Sequence, residues 1–367
     1  MDNKNSIEKN TTHSVLIHSI INKLTSKENL SRTEAEQVME NLLSGTLTQS
    51  QIAAFLVSLR MKGETTEEIA SLAKIMREKA VKITPKVSSS LVDTCGTGGD
   101  SSNTFNISSA SAIIAAGAGV PIAKHCNRSV SSKCGSADVF EALGGSLLQP
   151  EQAEKSIEQT GIGFLFAPFF HPTFKYVMPV RKELGIRTVF NLLGPLANPA
   201  AAQHQLLGVY SPDLTEPIAT VLGDLGSKHA LVVHSEGMDE IGFGETKVSE
   251  LKNGKIQSYS IHGSDFGFKK QSLPKVTSKE ESAKIILAIL SGNTTESDSA
   301  RDSCILNAAA SIYLGGFVSS IDKGISIATD SIHSGKALAK LKTLVKFCDS
   351  ESKSENRTAD AGDAHGA

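Results

Sequence analysis

The stretch DTCGTGGD, Asp93 to Asp100, places three glycines (Gly96, Gly98, Gly99) within four positions, after the short apolar pair Leu91-Val92 and before a Ser/Thr-rich run that opens a helix near Asn106. Backbone without Cβ atoms can approach a bulky anion, and the amides of a helix N-terminus then bind it. The chemistry indicated is phosphate binding. The stretch lacks the Gly-Lys-Ser/Thr ending of a nucleoside-triphosphate loop and the spacing of a dinucleotide fingerprint, so those ligands lose their main support. By composition alone, a plain glycine turn is an equal reading.

Three further segments carry chemistry. Lys124 to Lys133 holds three positive charges (Lys124, Arg128, Lys133), one histidine and no acid. Ser129, Ser131, Ser132 and Ser136 add donors suited to phosphate oxygens, and the Asn127 amide can orient a polar substrate. Such a run is most often a solvated loop, but it follows the apolar run Val120 to Ala123, and open α/β sheets bind ligands at the carboxyl ends of their strands. In RKELGIRTVFNLLGPLANP, Arg181 to Pro199, two arginines (Arg181, Arg187) flank a helix end. An arginine can fork onto a carboxylate, although a lone one is more commonly surface charge. Asp239 and Glu240 are adjacent in a glycine-flanked loop after the apolar run ending at Val233. Near a phosphate such a pair suits Mg²⁺; alone it is ordinary surface charge.

The elements that must position these residues fall into two textures. From about Val15 to Ala80 the periodicity is helical, with capping-box spacings at Ser31/Glu34, Thr48/Gln51 and Thr65/Glu68 and with Gly45 and Gly63 where helices should stop. A serine-rich connection, Pro85 to Ser90, follows. Beyond it, short β-like runs alternate with helical segments, which predicts a mostly parallel α/β sheet. Residues Ile241 to Ile261 read as a hairpin-like excursion, helices resume from about Ser278 to Val345, and residues 349–367 read as a frayed, disordered tail.

Composition narrows the class. The 367 residues carry 37 Lys and Arg against 39 Asp and Glu, a net charge of −2, which excludes the global basic field of a general nucleic-acid binder. The absence of Trp weakens a base-stacking surface as well. No stretch approaches the ~18 apolar residues of a membrane span, and the acidic residues in the first dozen oppose a secretory signal, so a cytoplasmic enzyme is the expectation. Five cysteines without CxxC spacing read as reduced thiols.

Taken in order and spacing, the four segments resemble the anthranilate phosphoribosyltransferases, and the likeness runs from the first helices to about Cys348. It implies a small N-terminal all-helical domain (1–85) and a larger α/β domain (86–348) with a mostly parallel central sheet and C-terminal helices, of nucleoside phosphorylase/phosphoribosyltransferase type. Some helices of the second half could join the helical domain. The active site would lie in the cleft between the domains, and the protein would be a homodimer joined through the helical one. The resemblance implies a 5-phosphoribosyl 1-pyrophosphate (PRPP) site at Gly96, Gly99, Asp100, Thr104, Asn106, Ile107, Ser108, Ser109, Lys124, Ser132 and Ser136. It implies an anthranilate site at Gly96, Asn127 and Arg181, and Mg²⁺, two per subunit, on Ser108, Asp239 and Glu240. Cys126 stands where the family usually has Gly, and Ser109 where Thr is common.

The expected reaction is transfer of the phosphoribosyl group to the amine of anthranilate in tryptophan biosynthesis. An aryl amine is neutral at pH 7, so no general base is required, in keeping with the lack of an obvious histidine–carboxylate dyad; His204, His229 and His234 are expected to be structural. Two alternatives are a pyrimidine-nucleoside phosphorylase-like enzyme, which should carry a different glycine loop, and a catalytically silent nucleic-acid-binding relative, which should be strongly basic.

Overall fold

The computed structural model describes residues 16–98, 102–128, 134–293 and 298–363. Four helices come first: α1 (16–25), α2 (Arg32–Ser44), α3 (Gln49–Lys62) and α4 (Thr66–Glu78). All three capping boxes form, each with the hydroxyl accepting from the third helical amide and the Glu or Gln returning to the cap amide. Gly45 ends α2 in the left-handed region at φ 73°. Glu68 does more than cap. Fully buried, it accepts from Leu30 N, Thr65 N and Lys62 Nζ, each at 2.8 Å, and so ties the α1–α2 linker and the end of α3 to the start of α4.

The α/β part runs β1 (Val92–Gly96), α5 (Ile107–Gly117), β2 (Ile122–Cys126), α6 (Ser136–Ala142), α7 (Pro150–Thr160), β3 (Ile162–Phe166), α8 (Ala167–Phe170), α9 (Met178–Leu184), α10 (Phe190–Leu196), β4 (His204–Gly208), α11 (Thr215–Asp224) and β5 (His229–Ser235). The hairpin β6 (Glu245–Lys252) and β7 (Lys255–His262) follows, then α12 (Lys279–Leu290), α13 (Asp298–Leu314), α14 (Ile321–His333) and α15 (Lys336–Asp363). The sheet order is β3-β2-β1-β4-β5-β6-β7, parallel through β5 and antiparallel beyond. Asn253 and Gly254, both at positive φ, make the tight hairpin turn.

Both faces of the sheet are covered, and the strands show it by alternation. Leu206, Leu231 and Val233 face a core shared with α5 to α7 and α12 to α15, whereas Leu207, Ala230 and Val232 face the first four helices together with α9, α10 and α11. The helical core is thus completed by segments drawn from the middle of the chain. Of the stretch expected as a tail, residues 364–367 lie outside the described residues, and residues 349–363 are the end of α15. Its polar residues beyond Cys348 include no glycine or proline before Gly362, so the helix propagates from a nucleus already packed at Ala337, Leu341 and Leu344.

Chain order fixes where a ligand can sit. From β1 the chain proceeds to β2 and β3 on one side, then returns to β4 on the other, so a crevice opens at the carboxyl ends of β1 and β4. Gly96 and Gly208 are paired there.

Candidate active site

A cavity of about 470 Å³ opens at this switch point, between the sheet, α5 and the helices α9 and α10. Its first half is built on glycines. A Cβ at Gly96 would lie 2.3 Å from Asp239 Oδ2, and one at Gly208 only 1.6 Å from Asp239 O, so the Asp239 loop is seated directly against the ends of β1 and β4. Gly98, at φ 65°, donates its amide to Asp239 Oδ2 at 2.7 Å. At the head of α5, Ser108 N donates to Glu240 Oε1 at 3.1 Å. The two carboxylates therefore occupy the amides of the glycine loop and helix terminus, where fixed positive partial charge favours an anion.

Lys124 reaches beneath this half. Buried on β2, it donates to Thr94 O at 2.5 Å and to Ser108 Oγ at 3.1 Å, joining β1 to the first turn of α5. Asn106 holds the same turn from outside: its Oδ1 accepts from Ser282 Oγ at 2.8 Å and its Nδ2 donates to Cys134 O at 3.3 Å. Thr104, Asn106, Ile107, Ser108 and Ser136 all line the cavity. Ser109 does not; it lies behind the wall, fully buried, with a hydroxyl that has no partner among the described residues. Gly99, Asp100 and Ser132 lie outside the described residues.

The basic stretch is less available than its sequence suggests. Arg128 forks onto Glu141 with two bonds of 2.7 Å, reaches Asp138 at 2.8 Å, and lies over the Phe166 ring. These hydrogen bonds hold its pKa above the usual value. Arg128 clamps the base of its loop to α6, and its charge is answered within the protein. Asn127 sits beside it at the cavity, its Oδ1 accepting from Arg128 N at 2.8 Å and its carbonyl from Ala137 N at 3.2 Å.

The second half of the cavity is aromatic and cationic. Arg181 on α9 stands over the rings of Phe174 and Phe190, 5.9 and 5.5 Å from their centroids, and forms no ion pair with a described carboxylate. Burial lowers its pKa to about 10, so it remains a cation at neutral pH. His125 and His171 face each other with centroids 5.2 Å apart, both lining the cavity. Burial pulls their pKa values down to about 3 and about 4, so both are neutral at pH 7. His125 Nδ1 lies 3.0 Å from Gly194 O, which makes Nδ1 the protonated nitrogen, and Nε2 of each ring has no partner among the described residues. A flat apolar ring bearing a carboxylate matches this half: the guanidinium takes the charge, while Phe190, Pro195 and Met178 supply the walls.

Behind both halves lies Asp93, wholly buried, which accepts from His125 N at 3.1 Å and from Gln205 Nε2 at 3.2 Å. Burial pushes its carboxyl pKa up. Cys126 also lines the cavity, with burial raising its thiol pKa to about 12, so it serves as a small wall rather than a nucleophile. His204, His229 and His234 lie away from the cavity, each on a carbonyl or on Glu250.

His171, Asn191, Pro195 and Gly208 were not marked as site residues by the sequence. His171 and Asn191 carry no local motif, and Gly208 becomes informative only once β4 is known to pair with β1 in the register Gly96 to Gly208.

A helical bundle on one face of a parallel sheet, with a glycine-loop and carboxylate site at the switch point, defines a two-part glycosyltransferase. Family models agree: "Glycosyl transferase family, helical bundle domain" matches residues 18–80 and "Glycosyl transferase family, a/b domain" matches residues 88–338. The chain belongs to the anthranilate phosphoribosyltransferase family. It is 53% identical over 334 residues to the anthranilate phosphoribosyltransferase of Methanocorpusculum labreanum (90% of this chain, 97% of the relative) and 49% identical over 340 residues to that of Acetivibrio thermocellus (91% and 97%). Among solved structures, the Thermus thermophilus enzyme superposes with TM-score 0.84 at 40% identity, covering 90% of this chain and 99% of that one. The Saccharomyces cerevisiae enzyme in complex with PRPP and Mg superposes with TM-score 0.83 at 30% identity, covering 92% and 98%.

Proposed function

We propose that this chain transfers the 5-phosphoribosyl group of PRPP to the amine of anthranilate, releasing pyrophosphate. The observation that carries the reading is the division of one cavity into a half built from amides and two carboxylates, and a half built from aromatic walls around Arg181, which forms no ion pair with a described carboxylate. PRPP fits the first half and anthranilate the second. Gly96, Thr104, Asn106, Ile107, Ser108, Lys124 and Ser136, together with Gly99, Asp100 and Ser132, are the PRPP contacts in this reading, with Ser109 supporting them from behind the wall. Gly96, Asn127 and Arg181 are the anthranilate contacts.

Asp239, Glu240 and the Ser108 hydroxyl form an all-oxygen donor set beside the loop amides, the kind a hard divalent cation takes. They would hold Mg²⁺, two ions per subunit, which when bound supplies charge neutralisation to the diphosphate leaving group. A bound cation would draw on the same carboxylate oxygens that now accept from the amides of Gly98 and Ser108, and amides so released would be available to phosphate oxygens. The C1–O bond to pyrophosphate breaks, the amine nitrogen forms the C1–N bond from the opposite face, and nitrogen then loses a proton to water. Arg181 and Asn127 orient the ring so that the amine faces C1. Neutral His125 and His171 add no competing positive charge beside the developing oxocarbenium ion. Catalysis is positioning and electrostatics, with no base required to generate the nucleophile.

A pyrimidine-nucleoside phosphorylase-like activity is not favoured by the comparisons, and the internal pairing of Arg128 argues against a nucleic-acid surface. We place the protein in the cytoplasm; no helix among the described residues is long and apolar enough to cross a membrane. A homodimer through the helical domain is supported by Met61, 78% exposed at the end of α3, and Ile186, 44% exposed after α9. The test of function is loss of anthranilate fluorescence on adding PRPP and Mg²⁺ to purified protein. Turnover supports the reading, and its absence with a folded protein overturns it.

A further inference from the structure

The loop that carries Asp239 and Glu240 is fixed from behind by side chains the reaction does not touch. Four consecutive main-chain polar groups are each taken. Ser235 Oγ donates to Glu240 O at 2.7 Å, Ile241 N donates to Asn307 Oδ1 at 3.0 Å, Asn307 Nδ2 donates to Ile241 O at 3.0 Å, and Gly242 N donates to Ser235 Oγ at 2.7 Å. Asn307 is fully buried in α13, and its Nδ2 also donates to Ser303 O one turn earlier, at 3.0 Å, which fixes its rotamer. It meets Ile241 as a neighbouring strand would, with one donor and one acceptor.

A polar side chain in the middle of the buried run Ile305, Leu306, Ala308, Ala309 is costly unless its hydrogen bonds are used, and here both ends of the amide are committed to Ile241. The next residue back is Glu240, whose carboxylate stands at the head of α5, and before it Asp239, which must thread between Gly96 and Gly208 with almost no clearance. A small shift of Ile241 would move both carboxylates together. We infer that Asn307 is a positioning residue for divalent-cation binding, setting the two carboxylates through Ile241 with Ser235 as its partner. The inference rests on the reading of Asp239 and Glu240 as metal carboxylates.

The test uses Asn307→Leu, of similar shape without donor or acceptor, and the milder Ser235→Ala, after which Gly242 N keeps Thr246 Oγ1 at 3.2 Å. Mn²⁺ is titrated into each protein with PRPP and free Mn²⁺ is read by electron paramagnetic resonance; steady-state KM values are measured separately. Residues that orient metal ligands typically change metal affinity by about 10- to 100-fold. Asn307→Leu is expected to weaken Mn²⁺ binding within that range and Ser235→Ala by a smaller factor, while KM for anthranilate changes less than about twofold. Wild-type Mn²⁺ affinity in a folded Asn307→Leu protein overturns the inference. If that variant does not fold, unchanged affinity in Ser235→Ala overturns it instead. A wild-type protein that binds no Mn²⁺ with PRPP removes the metal reading itself and the inference with it.

Discussion

Replacing Arg181 by Met separates the aromatic-acid half of the cavity from the rest. The substitution keeps an unbranched side chain of the same general shape and removes the guanidinium that lies over the Phe174 and Phe190 rings. Because Arg181 is partly buried and forms no ion pair with a described carboxylate, its loss strands none of the described acids, and the fold should not suffer; burial has lowered its pKa to about 10, the mark of a cation already held at some cost. The substrate carboxylate, in contrast, loses its counter-charge. A hydrogen bond to a charged group contributes about 1.5–3 kcal/mol and an ion left unpaired in a buried site costs about 3–5 kcal/mol. For a half-open cavity about 2–4 kcal/mol is expected, a fall of about 30- to 1,000-fold in kcat/KM for anthranilate at ~1.4 kcal/mol per tenfold. Fluorescence assays at saturating PRPP give that ratio, assays at fixed anthranilate give KM for PRPP, and a thermal melt gives stability. KM for PRPP should move less than about twofold and Tm should stay level or rise. A Tm drop of several degrees, or kcat/KM within threefold of wild type, would refute the assignment of Arg181 to a substrate carboxylate.

Further expectations concern the frame. His125 and His171, with folded pKa values of about 3 and about 4 against ~6.5 when unfolded, bind fewer protons in the native state, so stability falls as pH drops below about 6.5, by at most ~1.4 kcal/mol per pH unit for each histidine. Denaturant midpoints between pH 7 and 4.5 should show this, and His171→Phe should flatten the slope; an unchanged slope counts against the burial argument. Gly208→Ala puts a methyl 1.6 Å from the Asp239 carbonyl, so the metal loop must move: turnover should fall about 100-fold or more while far-UV circular dichroism stays native. Glu68→Gln breaks the buried pair with Lys62, and a loss of about 3–5 kcal/mol in denaturant unfolding is expected; a loss under 1 kcal/mol would show that the pair does not hold the helical domain.

What was legible in the sequence is local. The three capping boxes follow from hydroxyl and Glu or Gln at a fixed spacing, and the glycine loop follows from a backbone that needs no Cβ. The acidic pair, ordinary surface charge by itself, was legible only through its order and spacing with the glycine loop. The pairing of Arg128 is not legible locally, because its partners Asp138 and Glu141 lie on a helix whose return toward Asn127 no local pattern displays. Gly208, His171 and Asn307 depend on strand register or on a helix packed against a distant loop, so their meaning is tertiary. The segment after Cys348 read as a tail because it has no apolar stripe. A helix already nucleated by packing continues through polar residues that would not start one.

The central claim is that one cavity holds PRPP on the amide and carboxylate half while anthranilate attacks from the other. Phosphorus NMR of pyrophosphate release, run beside anthranilate fluorescence in wild type, Asp239→Asn and Glu240→Gln, tests it most directly. Pyrophosphate should appear one for one with anthranilate consumed, only with Mg²⁺, and each variant should be slower by ~10²-fold or more. Pyrophosphate release without anthranilate consumption, or variants with wild-type turnover and metal dependence, would contradict it.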